Sequence, residues 1–416
     1  KIKEILLKRK KINKTMELIK PFKSFHYNPQ LLKEISSLVC PPYDLMSRED
    51  IHRFKNKHLY NFCNILCIDE YHDYKDLSKK YNQWIGDGIL VEENTPSLYL
   101  YQQRFRFENK NYYRIGIIGL LRIDNKDVIF PHENTLSLPK KDRYYIIKNL
   151  KSNLTPIFVV VPNKLNILHP IHTLYRRKPY FIKFKDFLNI DNTLWRIDEK
   201  SVIHKISKEI LRKKLFIADG HHRFEVAYRY FLEESNRFKD LNYILAYITD
   251  WHDGLLVLPT HRVLKNVSNF ENIFTKLSYY FKIEEIKRGN IENILSYTKD
   301  IAFGIYKDNK QFIIKLKKRN ILDKILNKEE KIYKDLDVYI LHRLVLPMLG
   351  KKDILYTSSL KEAKKLGNNG NLSFILKKPL LNLLFNIARE GYLLPEKSTY
   401  FYPKIISGLL IRRFEN

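Results

Sequence analysis

Five consecutive residues carry side chains that suit phosphate chemistry: Asp219, Gly220, His221, His222 and Arg223. A short apolar run precedes them and apolar residues at helical spacing follow, which predicts a strand-to-helix turn. Glycine permits the sharp turn, and the first helical turn offers N–H groups and a positive dipole end to an anion. Arg223 can hold a phosphate or carboxylate through two N–H groups, and either histidine can move a proton near neutral pH.

Asp219 has several possible roles in this turn. It can orient a histidine, accept a proton or hold a metal ion. The competing interpretation is structural, with Asp219 as the N-cap of an ordinary helix. A zinc site that combines His221, His222 and another histidine is a further alternative, although adjacent histidines point apart on a helix or strand. The identity of any metal stays open at this level.

A second polar segment, residues 131–136, contains His132 and Glu133, which could work as an acid–base pair. Farther along, Lys140 and Arg143 are three positions apart, so a helix places them on one face, where they could clamp an anion. The alternative for this segment is a solvated loop followed by an exposed charged helix.

Two further segments end or interrupt regular structure. Thr260, His261 and Arg262 lie at the end of a predicted strand, where successive side chains face opposite sides. Tyr43 and Asp44 follow two prolines, whose rings impose an extended loop that could present Asp44. A satisfied surface turn accounts for the first segment as an alternative, and a structural turn accounts for the second.

A fifth segment starts with Lys397 and Ser398 and ends with Lys404. Its hydroxyls and amines suit phosphate, but an aromatic-rich strand that packs on the core explains it equally well. The sequence has no P-loop, no GxGxxG fingerprint, no HExxH motif and no GxSxG motif. The candidate residues therefore match none of these motifs.

The composition is that of a globular chain with a large positive charge. Of the 416 residues, 44% are hydrophobic and 29% are charged, and the net charge is +29. This charge indicates either a polyanion partner such as DNA or compositional drift, since Lys, Ile, Asn and Tyr are abundant throughout. Three cysteines are too few for a disulfide framework, and no apolar run is long enough to span a bilayer. We expect a cytoplasmic protein that does not enter a membrane.

Hydrophobic periodicity predicts a helix over 74–86 and a hairpin whose strands cover 97–107 and 112–123, with the turn at 109–111. Further predicted strands alternate with helices, which indicates an α/β fold with a sheet and flanking helices. A helix is also predicted over 338–349.

The character of the chain changes near residue 266, where Lys and Asn become more frequent. We therefore expect an α/β domain at 16–265 that carries the candidate site, and an α+β subdomain at 266–416 that packs on it. The basic stretch 1–15 precedes the first methionine and is expected to be a disordered or non-native extension.

In their order along the chain, these segments resemble the bacterial and archaeal domain-of-unknown-function family numbered 1015, from about Met16 to Asn416. The resemblance is carried by Lys20–Phe22, Tyr27–Pro29, Pro41–Asp44, His132–Glu133, Thr135–Leu136, Pro139–Lys140, Asp142–Arg143, Asn153–Leu154, Pro156–Phe158, Leu194–Trp195, Asp219–Arg223, Leu258–Arg262 and Lys397–Lys404. Two positions depart from the family pattern. Leu138 replaces a usual glycine, and Cys40 replaces a usual small residue.

This resemblance implies a fold and a chemistry. The Asp-Gly-His-His-Arg turn is similar to the phosphate-binding turn of the ParB and sulfiredoxin-like group, which includes nucleotide-dependent chromosome-partition proteins and free-serine kinases. It implies a ParB/sulfiredoxin-like core and phosphoryl transfer, with Mg²⁺ and ADP or ATP as cofactors. Family members also resemble candidates for a phosphoserine step in serine biosynthesis, which makes serine or phosphoserine the favoured substrate.

Three hypotheses for function follow from these observations. The first is a phosphotransferase or phosphatase that acts on a small phosphorylated metabolite or a nucleotide. The second is a ParB-like regulator that binds nucleotides or DNA, and the third is a different enzyme such as a metal-dependent hydrolase. The oligomeric state is left open.

Overall fold

The computed structural model describes residues 17–67, 73–125, 127–134, 137–251, 254–267, 270–350 and 353–415. The expected extension 1–15, together with Met16, Thr135 and Leu136, lies outside these residues. Within the described part of the chain, no helix has the length and apolar character needed to cross a membrane.

The strands, in chain order, are β1 (Ile19–Lys20), β2 (Phe25–Tyr27), β3 (Leu90–Glu92), β4 (Leu98–Phe107), β5 (Lys110–Arg122), β6 (Ile129–Phe130), β7 (Ser152–Asn153), β8 (Ile157–Val161), β9 (Ile182–Lys185), β10 (Asp191–Ile197), β11 (Leu215–Asp219), β12 (Tyr243–Asp250), β13 (Leu256–Leu258), β14 (His261–Leu264), β15 (Phe281–Glu285), β16 (Ala302–Lys307), β17 (Lys310–Leu316), β18 (Ile354–Thr357), β19 (Leu372–Ile375), β20 (Tyr400–Tyr402) and β21 (Arg412–Arg413).

The α-helices are α1 (Ile35–Leu38), α2 (Arg48–Lys57), α3 (Cys63–Leu66), α4 (Tyr74–Gly86), α5 (Ser137–Leu150), α6 (Leu168–Tyr175), α7 (Lys200–Ile210), α8 (His221–Glu234), α9 (Phe270–Ser278), α10 (Ile291–Tyr297), α11 (Asn320–Ile325), α12 (Asp337–Ile340), α13 (Leu346–Met348), α14 (Leu360–Leu366) and α15 (Leu381–Arg389). Short 3₁₀ turns occupy Tyr43–Leu45 and Glu330–Tyr333, and a π-helical turn occupies Leu341–Val345.

The chain divides into two compact units. The first unit comprises Lys1–Pro131, Thr135–Leu255 and Pro403–Asn416. The second unit comprises His132–Asn134 and Leu256–Tyr402. The division into domains at 16–265 and 266–416 that the sequence suggests stays a prediction.

The first unit is built on a large mixed sheet. Its strands follow the order β6-β11-β8-β12-β5-β4-β10-β9, and β1 pairs with β5. The β11–β6 and β8–β12 pairs are parallel, whereas the other pairs of this sheet are antiparallel. Aliphatic side chains from both the sheet and its flanking helices form one buried cluster. The predicted mixed α/β fold is therefore confirmed, and the ParB/sulfiredoxin-like core stays a prediction.

Two elements of this unit, helix α4 and the hairpin turn between β4 and β5, can be compared with their sequence predictions. Helix α4 forms where the sequence predicts it, because Asp73 accepts hydrogen bonds from the amides of Lys75 and Asp76, and one apolar face is buried. The predicted hairpin turn at 109–111 is wrong, since the turn residues are Glu108 and Asn109, with φ of 45° and 63°. Two successive left-handed residues match the twist of the flanking strands, so a tighter turn forms.

The second unit contains a six-stranded sheet with the order β15-β17-β16-β19-β14-β18, and β13 pairs separately with β20. The predicted helix over 338–349 is confirmed, since α12, the π-helical turn and α13 follow one another without a gap from Asp337 to Met348. The helix is not regular, because the π-helical turn lies between α12 and α13, and Pro347 lies at the start of α13. Proline lacks an N–H group and its ring clashes with the preceding turn, so a regular α-helix cannot run through this position.

Candidate functional site

The Asp-Gly-His-His-Arg turn joins β11 to α8 in the first unit. Ile217 pairs with Val159 but Asp219 pairs with Phe158, so a bulge interrupts the register between them. A bulge of this kind re-aims the side chain that follows it. Gly220 has φ 88° and ψ 29°, and the helix starts immediately after it without a side-chain cap. The alternative interpretation of Asp219 as an N-cap is therefore wrong.

The carboxylate of Asp219 lies between two cations instead. Its Oδ2 atom accepts a hydrogen bond of 2.7 Å from Arg223 Nη2, and its Oδ1 atom pairs with Lys404 Nζ. All three side chains are mostly buried. One carboxylate and two cations leave this trio with a net positive charge, which is costly in a poorly solvated place.

Arg223 is held by the chain itself. Its Nη1 atom donates to the carbonyl oxygens of Pro156 at 2.5 Å and Thr155 at 3.4 Å. Its Nε atom is buried and has no hydrogen-bond partner among the described residues. Because a buried donor without a partner costs about 1–3 kcal/mol, such an atom indicates a ligand or a bound water. Arg223 is predicted to bind phosphate through two N–H groups, but its Nη2 atom already donates a hydrogen bond to Asp219.

Beside Arg223 lies a small hollow of about 50 Å³ that is open to solvent on one side. Six of the twelve lining residues are aliphatic, namely Leu66, Ile146, Ile147, Leu154, Val226 and Ile244. The other six carry polar groups, namely Tyr43, Arg143, Ser152, Asn153, Thr155 and Arg223, but most of the lining surface is apolar. Two guanidinium groups in one hollow make it attractive to an anion.

Helix α5 contributes Arg143 to this hollow. The Nε and Nη2 atoms of Arg143 donate to Asp142, and Nη1 donates to the carbonyl of Leu66 at 3.0 Å. Its guanidinium carbon lies 3.9 Å from the centre of the Tyr43 ring. Burial, and next the neighbouring Asp44, raises the pKa of the Tyr43 phenol. Tyr43 therefore stays protonated and able to donate a hydrogen bond at neutral pH.

The remaining residues predicted for this region take separate positions. Lys140 pairs with Glu225 Oε2 at 3.1 Å, whereas Arg143 faces the hollow, so the structure gives the two members of the predicted clamp different partners. His221 is buried and His222 is half-buried at the start of α8. Their role in proton transfer stays a prediction.

The second unit gathers the other predicted residues. His132 Nε2 and Thr399 Oγ1 lie 2.9 Å apart. Glu133 Oε1 accepts a hydrogen bond of 2.8 Å from the amide of Lys397. Ser398 donates to the carbonyl of Pro395 at 2.5 Å. The segment 132–134 and the segment 395–399 are thus joined by side-chain bonds.

Arg262, a predicted site residue in the second unit, is fully buried, with 0% of its surface exposed. Its Nε atom donates to His342 Nε2 at 3.2 Å, and its terminal nitrogens donate to the carbonyls of Thr260 and Glu396. Burial lowers the pKa of Arg262 to about 10. Burial, and next the charge of Arg262, lowers the pKa of His261 to about 4 and that of His342 to about 3.

The sequence predicts Lys404 in one segment with Lys397 and Ser398, but Lys404 lies in the first unit with Asp219, whereas Lys397 and Ser398 lie in the second. The signal for this break is Pro403, because the residue before a proline favours an extended conformation. The sequence gives no indication of His342, since nothing in its local sequence marks the π-helical turn.

The described residues contain no group of three or more His, Cys, Asp or Glu side chains arranged to hold a metal ion. Near the turn, both oxygens of Asp219 already pair with cations, and in the second unit Glu133 Oε1 accepts the Lys397 amide. A Mg²⁺ ion at Asp219 would be repelled by the positive charges of Arg223 and Lys404. The donor set at Asp219 therefore fits a protein-held Mg²⁺ poorly.

Comparison with solved structures finds low similarity in fold alone. A conserved hypothetical protein from Pyrococcus furiosus is 16% identical, with coverage of 70% of this chain and 94% of its own, and a TM-score of 0.36. A free serine kinase in complex with AMP is 14% identical, with coverage of 70% and 90% and a TM-score of 0.37. SbnI with a C-terminal truncation, from Staphylococcus aureus, is 10% identical, with coverage of 69% and 82% and a TM-score of 0.38.

Comparison with known sequences gives one assignment. No curated protein matches the chain. A family model matches most of it, from residue 19 to residue 339, a span that includes the Asp-Gly-His-His-Arg turn, the Arg143 helix and the segment around Arg262. The chain belongs to the protein family of unknown function DUF1015.

Proposed function

We propose that the first unit binds a small phosphate ester in the hollow beside Arg223 and catalyses phosphoryl transfer or phosphate-ester hydrolysis. The observation that carries this proposal is the buried Nε atom of Arg223, which has no partner among the described residues, in a side chain that lines a hollow together with Arg143. A phosphate oxygen at this place would satisfy the orphaned donor through a charge-assisted hydrogen bond.

The charge of the surroundings supports phosphate over a neutral ligand. Arg223 and Lys404 outnumber Asp219, while Arg143 is balanced by Asp142. A phosphate monoester carries a charge of about −1.5 to −2 at neutral pH and has three strong acceptor oxygens. It would therefore add negative charge beside a carboxylate that two cations share, and a neutral metabolite would not.

The helix start supplies the second element of the proposal. The first N–H groups of a helix have no partner within the helix, and the dipole of α8 presents its positive end at Gly220. In this proposal these amides and Arg223 hold the phosphoryl group, and His221 or His222 moves the proton of the attacking hydroxyl. Asp219 orients Arg223 through the 2.7 Å bond.

Serine and phosphoserine are the favoured substrates, as the resemblance to free-serine kinases suggests. In the kinase direction, the serine hydroxyl attacks the terminal phosphorus of ADP or ATP, the bond to the bridging oxygen breaks, and phosphoserine forms with release of AMP or ADP. In the hydrolytic direction, water attacks the phosphate of phosphoserine. The proposal includes the nucleotide as a second substrate of the kinase reaction, but it includes no Mg²⁺ held by Asp219 and no DNA.

Incubation of the full chain with phosphoserine tests this function. Release of inorganic phosphate without nucleotide supports hydrolysis, and formation of ATP from ADP, or the reverse reaction with free serine, supports transfer. Circular dichroism establishes that the protein is folded under the assay conditions. A folded protein that turns over phosphoserine in neither way, and that does not phosphorylate serine with ADP or ATP, contradicts the proposal.

A further inference from the structure

Two buried polar residues face each other in the middle of the first unit's sheet. Gln103 on β4 is the register partner of Arg114 on β5. Gln103 is 0% exposed and Arg114 is 1% exposed. A buried amide and a buried guanidinium are expensive unless hydrogen bonds satisfy them, so their partners indicate why they are there.

Their partners are two consecutive carbonyl groups of the segment that contains Lys404. Arg114 Nη2 donates to Gln103 Oε1 and, at 2.5 Å, to the carbonyl of Pro403. Gln103 Nε2 donates to the carbonyl of Lys404 itself at 3.3 Å. The carbonyl groups of Pro403 and Lys404 are thus both hydrogen-bonded to the cross-strand pair of Gln103 and Arg114.

The same guanidinium also contacts the strand opposite Asp219. The Cζ atom of Arg114 lies 4.6 Å from the centre of the Phe158 ring. Phe158 is the register partner of Asp219 across the bulge. Arg114 therefore touches the neighbour of each member of the Asp219–Lys404 ion pair: the residue before Lys404 in the chain, and the residue beside Asp219 in the sheet.

A further hydrogen-bond chain fixes the orientation of Gln103. Its Nε2 atom also donates to Asn192 Oδ1 at 3.3 Å, and Asn192 Nδ2 donates to Asp186 Oδ2 at 3.0 Å. Asp186 in turn accepts the amides of Leu188 and Ile190. Because each amide has defined donors and acceptors, this chain selects one of the two orientations of the Gln103 side chain.

We infer that Arg114 and Gln103 are positioning residues that hold Lys404 against Asp219. A lysine side chain loses up to about 2 kcal/mol of rotamer entropy when it is fixed, so a mobile backbone beneath it would make the ion pair weaker. Anchoring two successive carbonyls removes that backbone freedom in advance. The consequence for phosphate binding rests on the proposed function, whereas the placement of Lys404 does not.

The test compares matched pairs of variants. Arg114→Met removes the anchor, and Arg122→Met removes another partly buried arginine from the same strand, which pairs with Asp124. Gln103→Ala removes the second anchor, and Gln102→Ala removes the adjacent buried glutamine, which contacts His172 on the other side of the strand. Brief acetylation with acetic anhydride, followed by mass spectrometry of the peptide that contains Lys404, measures how accessible its amine is.

We expect acetylation of Lys404 to rise about tenfold in the Arg114 and Gln103 variants, because local opening exposes a side chain that was held closed. The Arg122 and Gln102 variants should leave it unchanged, even where urea denaturation shows an equal loss of stability. Unchanged labelling in Arg114→Met and Gln103→Ala, or an equal rise in the controls, would overturn the inference. If Arg114→Met does not fold, the comparison of Gln103→Ala with Gln102→Ala decides alone.

Calorimetric titration with inorganic phosphate separates this inference from the proposed function. If labelling rises and the unaltered protein binds phosphate, we expect weaker binding in the two anchor variants only. If labelling rises but the unaltered protein binds no phosphate, the placement of Lys404 by Arg114 and Gln103 stands and the proposed function fails. If the unaltered protein binds phosphate but labelling stays the same in the anchor variants, the placement of Lys404 by Arg114 and Gln103 fails and the proposed function stands.

Discussion

Lys404 and Asp219 form a mostly buried ion pair in the first unit although 185 positions separate them in the sequence. Arg223 occupies the other oxygen of the same carboxylate. The negative charge of Asp219 is thus shared by two cations, one from the next turn of its own chain and one from near the end of the molecule. This sharing explains why the turn is ordered without a helix cap.

Asp219→Asn should lower the free energy of unfolding by about 3 kcal/mol, because removal of one partner leaves buried charges without compensation. Adding Lys404→Met removes one of those cations, so the double variant should be less destabilised than the sum of the single variants. Urea denaturation of the four proteins in the cycle measures the coupling. Strictly additive losses would show that the two side chains do not interact.

The turn itself could be predicted from the sequence, and the ion pair could not. A strand pattern, a glycine and a helical pattern are local signals, and they predict where Asp219 and Arg223 lie relative to each other. Lys404 reaches Asp219 only through tertiary packing, which no spacing in the sequence encodes. The same limit applies to Arg143. Its helix can be predicted from the sequence, but the direction of its side chain depends on hydrogen bonds to Asp142 and to the carbonyl of Leu66.

Gly220→Ala should weaken phosphate binding as well as stability. Gly220 has φ of 88°, and an added Cβ atom would lie 3.0 Å from Cζ and Nη2 of Arg223. The substitution therefore strains the backbone by about 1–2 kcal/mol and also displaces the guanidinium.

Gly88→Ala is the matched control for Gly220→Ala. Gly88 has φ of 69°, but an added Cβ atom there would meet nothing within 4 Å. We expect urea denaturation to show similar losses of stability for both variants, and calorimetry to show weaker phosphate binding for Gly220→Ala alone. Equal phosphate affinity in the two variants would argue against a role for the Arg223 guanidinium.

Arg223→Met should reduce the affinity for inorganic phosphate about tenfold to a hundredfold, since a hydrogen bond to a charged group contributes about 1.5–3 kcal/mol. Arg223→Lys keeps the charge but not the planar array of donors, so it should restore only part of the binding. Arg229→Met is the control, because Arg229 lies on the same helix but is exposed and paired with Glu233. A loss of the same size in Arg229→Met would point to general electrostatics.

Removal of divalent metal should leave phosphate binding to the first unit unchanged. Both oxygens of Asp219 are engaged by Arg223 and Lys404, so a Mg²⁺ ion there would have to compete with two mostly buried cations. Titration with inorganic phosphate in EDTA and in excess Mg²⁺ measures this directly. A clear gain in affinity with Mg²⁺ would mean that Asp219 releases one of its cations and binds the metal.

The second unit should lose stability in acid through its buried histidines. The folded pKa of His342 is about 3 and that of His261 is about 4, both below the value of 6.5 for an unperturbed histidine. Below pH 6.5 these histidines bind protons in the unfolded chain but stay neutral in the folded chain. The free energy of unfolding therefore decreases as the pH falls from about 6.5 towards the folded pKa values. Each histidine should contribute a slope of about 1.4 kcal/mol per pH unit in that window.

His342→Gln isolates one of these protons. Glutamine does not titrate and still offers an oxygen to the Nε atom of Arg262, which donates to His342 at 3.2 Å in the native chain. Urea denaturation between about pH 7.5 and about pH 5 should therefore give a slope smaller by about one proton in this variant. His52→Gln is the control, because His52 is exposed in the first unit. An unchanged slope in His342→Gln would mean that His342 has the same pKa in the folded and the unfolded chain, which contradicts the prediction.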